Sequence, residues 1–121
     1  MTDIQKPFDI KKRCYQFSLS LVNFIKTTEY ERIYFSLFDQ LLRCGKSIGA
    51  NVIEGGGGST KKDVINYYHI SLKSANETKY WLCLIRDSFI NDKDRINTLI
   101  KEADEISKII ASSLITMKRT V

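Results

Sequence analysis

A chain of 121 residues, 43% hydrophobic and 27% charged, has the size of one domain and the ordinary balance of a soluble globular protein. No apolar run approaches the roughly 20 residues that a membrane span needs, and the start does not read as a secretory signal, so membrane and secreted classes are not expected. Nineteen basic residues against 14 acidic give a formal charge of +5, which admits an anionic partner without demanding one. Three widely spaced cysteines, Cys14, Cys44 and Cys83, argue against a disulfide framework and for a reducing, cytoplasmic setting.

The single proline, Pro7, stands before the first periodic segment, so nothing after it forces a helix to break. Ile10, Cys14, Phe17, Leu21 and Phe24 or Ile25 recur in steps of three and four, predicting a helix over 8–27. A second stripe, Ile33, Leu37, Leu41, Cys44, Ile48 and Val52, predicts a helix over 30–54 that stops at a run of glycines. A third, Val64, Tyr67, Ser71, Ser74, Thr78, Trp81 and Ile85, predicts one over 60–90, with Asn91-Asp92 as the following turn and cap. The fourth, over 93–118, sets Ile96, Leu99, Ala103, Ile106, Ile110, Ser113 and Met117 in alternating steps of 3 and 4, a heptad seam. No segment alternates with period two. Residues 1–121 therefore read as one all-α domain, an antiparallel up-down-up-down four-helix bundle.

The stretch NVIEGGGGSTKK, Asn51 to Lys62, holds four of the six glycines. A phosphate-binding P-loop needs a strand before it and a lysine ahead of the hydroxyl residue. Here a helix precedes, and the order is Gly58-Ser59-Thr60-Lys61. A domain linker also fails, because each flanking stripe alone would leave an apolar face uncovered. What remains is a hinge: a left-handed glycine ends one helix, and Ser59 or Thr60, with Asp63, caps the next. The free backbone N–H groups there, beside Lys61 and Lys62, form either a seat for phosphate or a plain solvated turn.

Before the hinge, Gln40, Arg43, Ser47, Asn51 and Glu54 are spaced by 3, 4, 4 and 3, so they share one helical face. Ser71, Ser74 and Glu77 do the same on the third helix. A hairpin pivoting near Gly57 brings Gln40 level with Ser74 and Arg43 with Ser71, with Glu77 about one turn further on and within reach of Arg43. The stripe is either a polar seam fixing the register of two helices or a binding or active site.

At these residues the chain resembles the four-helix bundle family known as 23S rRNA intervening sequence proteins (the S23 family). The pattern Gln40-x-x-Arg43-x-x-x-Ser47-Ile48-x-x-Asn51-Val52-Ile53-Glu54-Gly55, then Ser74-x-x-Glu77, is similar to the family's Q-x-R-R-A-x-x-S-I-x-x-N-I-A-E-G and G-S-x-x-E. Leu42 stands where an arginine is common, Cys44-Gly45 where alanines are, and Lys73 where a glycine often precedes the serine. The resemblance spans essentially the whole chain. It implies a bacterial protein that assembles as a homo-oligomeric ring, a pentamer, with no established activity. It also implies a relation to the nucleic-acid-binding accessory protein of diversity-generating retroelements. On this reading Gln40, Arg43, Ser47, Asn51, Glu54, Gly55, Ser74 and Glu77 are structural or interfacial, and catalysis is not expected.

No cofactor or metal site is expected either. His69 is the only histidine, Asn66 stands where a Glu-x-x-His pair would need its glutamate, and no Cys-x-x-Cys occurs. Residues 62 to 65, Lys-Asp-Val-Ile, hold no arginine for the Arg-to-His spacing of HEPN-type ribonucleases. The up-down topology would instead gather Lys11, Lys12, Arg13, Lys61, Lys62, Lys118 and Arg119 at one pole, a candidate nucleic-acid surface for RNA or DNA backbone. The alternative is a structural or adaptor oligomer that binds a protein partner, docking through aromatics such as Tyr30, Tyr34, Phe35 and Tyr68.

Overall fold

A computed structural model describes residues 9–57, 60–89 and 92–119. Four α-helices take up almost all of them: α1 Ile10–Thr27, α2 Phe35–Gly56, α3 Lys61–Ser88 and α4 Lys93–Arg119, with a 3-10 turn, Arg32–Tyr34, leading into α2. No strand occurs among the described residues. Phe8, Gly58, Ser59, Ile90 and Asn91, used in the sequence-based boundaries, lie outside them.

Polar side chains mark the helix starts. The Asp9 carboxylate accepts from Lys12 N at 3.2 Å, Thr60 Oγ1 from Asp63 N at 3.1 Å, and Asp92 Oδ1 from Arg95 N at 3.3 Å. Each satisfies a backbone donor that its helix leaves without a partner. At the other end of α1, Thr28 turns extended and its hydroxyl donates back to Phe24 O at 2.6 Å.

The apolar stripes meet in one core. Phe17, Leu21 and Phe24 of α1 pack with Phe38, Leu41, Ile48 and Val52 of α2, Leu82 and Ile85 of α3, and Ile96, Ile106 and Ile110 of α4. α1 packs on α2 and α4, and α3 packs on the same two, so α1 and α3 stand at opposite corners. Glycine lets α1 come close to α2. A Cβ on Gly45 would run into Leu21 Cδ2, and one on Gly49 would lie 3.1 Å from Cys14 Cβ.

The glycine run works differently from the hinge expected. Gly55 and Gly56 are still helical, and Gly57 ends α2 at φ −98° and ψ 8°. No glycine among the described residues has positive φ, so the left-handed helix end is absent from them. What Gly55 provides is room: a Cβ there would stand 3.1 Å from Tyr68 Cδ1 and 3.2 Å from Tyr67 Cβ.

Two apolar assignments also shift. Ile33 sits in the 3-10 turn rather than in α2 and is 78% exposed, while Phe38 takes the core position. In α4 the heptad seam holds from Ile96 to Ile110 and then slips, burying Leu114 instead of Ser113. A straight helix of 3.6 residues per turn drifts by about 20° per heptad, enough to hand the core position to the next residue. The aromatics near the start of α2 turn inward. Tyr30 stacks on Phe38 with ring centroids 3.8 Å apart, and Tyr34 on Phe89 at 4.2 Å. Tyr30, Tyr34 and Tyr68 are half-buried, and of that expected docking set only Phe35 is exposed.

Candidate functional site

The polar stripe is a seam between α2 and α3. Ser71 Oγ donates to Ile48 O at 2.8 Å, and Ser74 Oγ to Ser47 Oγ at 2.8 Å. Asn51 Nδ2 donates to both Ser47 O and Ser47 Oγ, at 2.8 and 2.9 Å. Thr78 Oγ1 donates to Ser74 O at 2.7 Å and lies 3.3 Å from Cys44 Sγ. Ser71, Ser74 and Thr78 are buried, and their small side chains keep the two backbones close. No buried side-chain nitrogen or oxygen among the described residues lacks a partner.

The register differs from the one expected. Ser74 meets Ser47 rather than Gln40, and Ser71 meets Ile48 rather than Arg43. The offset is about two turns, because α2 runs through Gly56 and the reversal is centred near Thr60, not Gly57. The expected Arg43–Glu77 pair does not form: Arg43 Nε binds Asp39 Oδ2 at 2.9 Å on the exposed face, and Glu77 Oε2 accepts from Trp81 Nε1 at 3.2 Å. Gln40 and Glu54 are exposed, Asn51 and Ser47 half-buried, and Gly55 buried.

The basic residues separate into different environments. Arg13 turns away from solvent, donating Nε and Nη2 to Glu102 at 2.9 and 2.8 Å and Nη2 to Glu105 at 2.6 Å. The Glu102 hydrogen bond holds the Arg13 pKa well above its ordinary value. With two carboxylates on it, Arg13 leaves the candidate phosphate surface. Lys11 and Lys12 are exposed on the first turn of α1, and the Lys11 ammonium lies over Gly56. Lys61 and Lys62 open α3, while Lys118 and Arg119 close α4, all exposed. His69 is exposed on α3.

Sequence reasoning missed both charged ties of α4. Besides Arg13 with Glu102 and Glu105, Lys79 Nζ binds Asp104 Oδ1 at 3.0 Å and Ser107 Oγ at 3.2 Å. Lys79, first, and Lys108 lower the Asp104 pKa. The signal was the acidic set Glu102, Asp104 and Glu105 within an otherwise mixed helix. Its partners lie 25 to 92 residues away, where no periodicity connects them. No helix among the described residues is long and apolar enough to cross a membrane.

The model of one protein family, described as 23S rRNA-intervening sequence protein, matches residues 6–112. The chain belongs to that family. A crystal structure of a protein of unknown function from the S23 ribosomal protein family of Bacteroides thetaiotaomicron is similar at 36% identity and a TM-score of 0.77. The match covers 87% of this chain and 97% of that one. No curated protein matches the chain. Of the residues that carry the resemblance, Ser47, Asn51 and Ser74 bond to one another in the α2–α3 seam and Gly55 makes room there for two tyrosines, while Gln40, Arg43, Glu54 and Glu77 are exposed.

Proposed function

We propose that this family member is a non-enzymatic, self-assembling bundle that holds nucleic-acid phosphate at one pole, in the cytoplasm. The supporting observation is the pairing of the Lys11 ammonium with the end of α2 at Gly56, close in sequence to Lys61 and Lys62 in the first turn of α3. The first turn of α3 brings the positive end of its dipole to Lys61 and Lys62, a setting suited to phosphate oxygens, while Lys11 offsets the negative end of α2. The remaining helices extend the argument. Lys79 to Asp104 and Arg86 to Asn97 support an α4 that runs against α3, in an up-down-up-down bundle. That order directs Lys118 and Arg119 towards the same pole. Contacts of this kind read backbone, not bases, so RNA is preferred to DNA only through the family association. A catalytic role for the seam is disfavoured, because its hydroxyl and amide groups are spent on one another.

Salt titration tests the reading. Labelled single- and double-stranded RNA and DNA are titrated with the full chain at about 50 and 200 mM salt, where roughly six phosphate contacts should lose about a thousandfold in affinity. Reversal of Lys11, Lys12, Lys61 and Lys62 to glutamate is expected to abolish binding with the helical signal intact. No binding at the lower salt overturns it. A second reading, an adaptor oligomer for a protein partner, draws on the exposed Phe35 and would show no steep salt dependence.

A further inference from the structure

At the far end of α1 from Lys11 and Lys12, a cleft of about 390 Å³ opens between α1 and the first turns of α2. Its walls are Ile25, Tyr30, Phe35, Phe38, Asp39 and Leu42, three of them aromatic and one of them charged. Sites for small molecules start at about 300 Å³ and combine apolar walls with a few polar groups. The rings are held in place before any ligand arrives. Tyr30 stacks on the buried Phe38, centroids 3.8 Å apart and planes 11° from parallel, and Phe38 meets Phe89 at 5.9 Å. Phe35 stands almost perpendicular to Tyr30, at 82° and 5.7 Å, and is 56% exposed. Tyr30 and Phe35 thus form a corner that costs little to order.

Asp39 supplies the charge on this lining. Arg43 Nε holds its Oδ2 at 2.9 Å, while Oδ1 has no partner among the described residues. The Asp39 and Arg43 side chains are 57% and 70% exposed, so that ion pair is solvent-screened and a weak competitor. Flanking charges come close to balance, Lys26, Arg32, Arg43 and Lys46 against Glu29, Glu31 and Asp39, so the lining itself decides the sign of a ligand. A carboxylate turns anions away, and ring faces attract cations through their quadrupole. A primary ammonium would leave N–H groups unsatisfied against Ile25 and Leu42, whereas a quaternary ammonium has none to satisfy and gains from burying its methyl groups.

We propose that this cleft binds a small quaternary ammonium compound, its head in the corner of Tyr30 and Phe35 and its charge beside Asp39. The site stands apart from the lysine pole and does not rest on phosphate binding.

Choline is the probe, titrated into the full chain while NMR follows the ring signals of Tyr30 and Phe35. The control is its neutral isostere, the alcohol in which a tert-butyl group replaces the trimethylammonium head. Choline is expected to bind at least about fivefold tighter than that alcohol, the factor that about 1 kcal/mol of cation–π attraction gives. Phe35→Leu keeps an apolar wall but removes a ring, and Asp39→Asn removes the charge. Both positions are exposed, and each variant should narrow the preference for choline by about twofold or more with the helical signal intact. Should Phe35→Leu lose that signal, Phe35→Met takes its place. Equal affinity for the two compounds overturns the proposal and leaves a plain apolar groove. Failure of choline to bind at millimolar concentration overturns it as well, and so does a preference that survives either substitution.

Discussion

Arg13 grips Glu102 through two parallel hydrogen bonds, 2.9 and 2.8 Å long, and thereby ties the first helix to the last. The pair and its neighbour Glu105 are partly buried, intermediate between a solvated ion pair and a core one. Arg13→Ala is expected to cost about 1–2 kcal/mol in urea unfolding. The same variant should leave nucleic-acid affinity within twofold, because the guanidinium already serves two carboxylates. Lys62→Glu should do the opposite, weakening binding while the unfolding midpoint holds. A large affinity loss in Arg13→Ala would return that residue to the phosphate surface.

Gly45→Ala tests the close approach of α1 and α2. The added methyl collides with Leu21, a core side chain that is 1% exposed and has nowhere to go. Overpacking costs about 1–3 kcal/mol, against roughly 1 kcal/mol gained from alanine's helix propensity, so a net loss is expected. In the double variant with Leu21→Ala the methyl enters the vacated space. The combined loss should then fall short of the sum by at least about 0.5 kcal/mol in a double-mutant cycle.

Ser47→Ala should destabilise more than Ser71→Ala. The Ser47 hydroxyl accepts from both Ser74 and Asn51, so its removal strands the buried Ser74 donor and leaves Asn51 only the Ser47 carbonyl, and is expected to cost about 1–3 kcal/mol. Ser71 is a lone donor to Ile48 O, a carbonyl inside a helix, and its loss should cost about 1 kcal/mol. Chemical denaturation of the two variants side by side decides the order.

Burial pushes the Cys14 thiol from an ordinary 9.0 up to about 12. The folded chain therefore keeps this proton where the unfolded chain gives it up. Its contribution is whole below pH 9.0 and is lost as pH climbs through about 12. Stability should fall across that alkaline window by up to about 1.4 kcal/mol per pH unit. Cys14→Ala is expected to flatten the slope without removing it, since burial raises the Cys44 thiol as well. An unchanged slope would show that Cys14 carries none of it.

Much of this was legible in the sequence because one helix face repeats every three or four residues. Cys14, Phe17, Leu21 and Phe24, and Ile96 to Ile110, fall in the core where their spacing put them. The seam was legible as a stripe, but not its register, since a glycine run does not say which glycine ends the helix. Ile33 misled because an apolar residue one turn early looks like part of the stripe, although the chain is still in a 3-10 turn there. Long-range charge pairs such as Arg13 with Glu102 leave no local pattern at all.

The seam and the Arg13 tie also differ in how far the chain must travel to make them. Seam partners are 23, 27 and 34 residues apart, while Arg13 and its carboxylates are 89 and 92 apart. The shorter loops close at lower entropic cost, so the hairpin of α2 and α3 is expected to form early and the docking of α1 on α4 late. Weakening the late contact would then speed unfolding while leaving the refolding rate nearly unchanged. The first helix would be the last part of the bundle to settle and the first to let go.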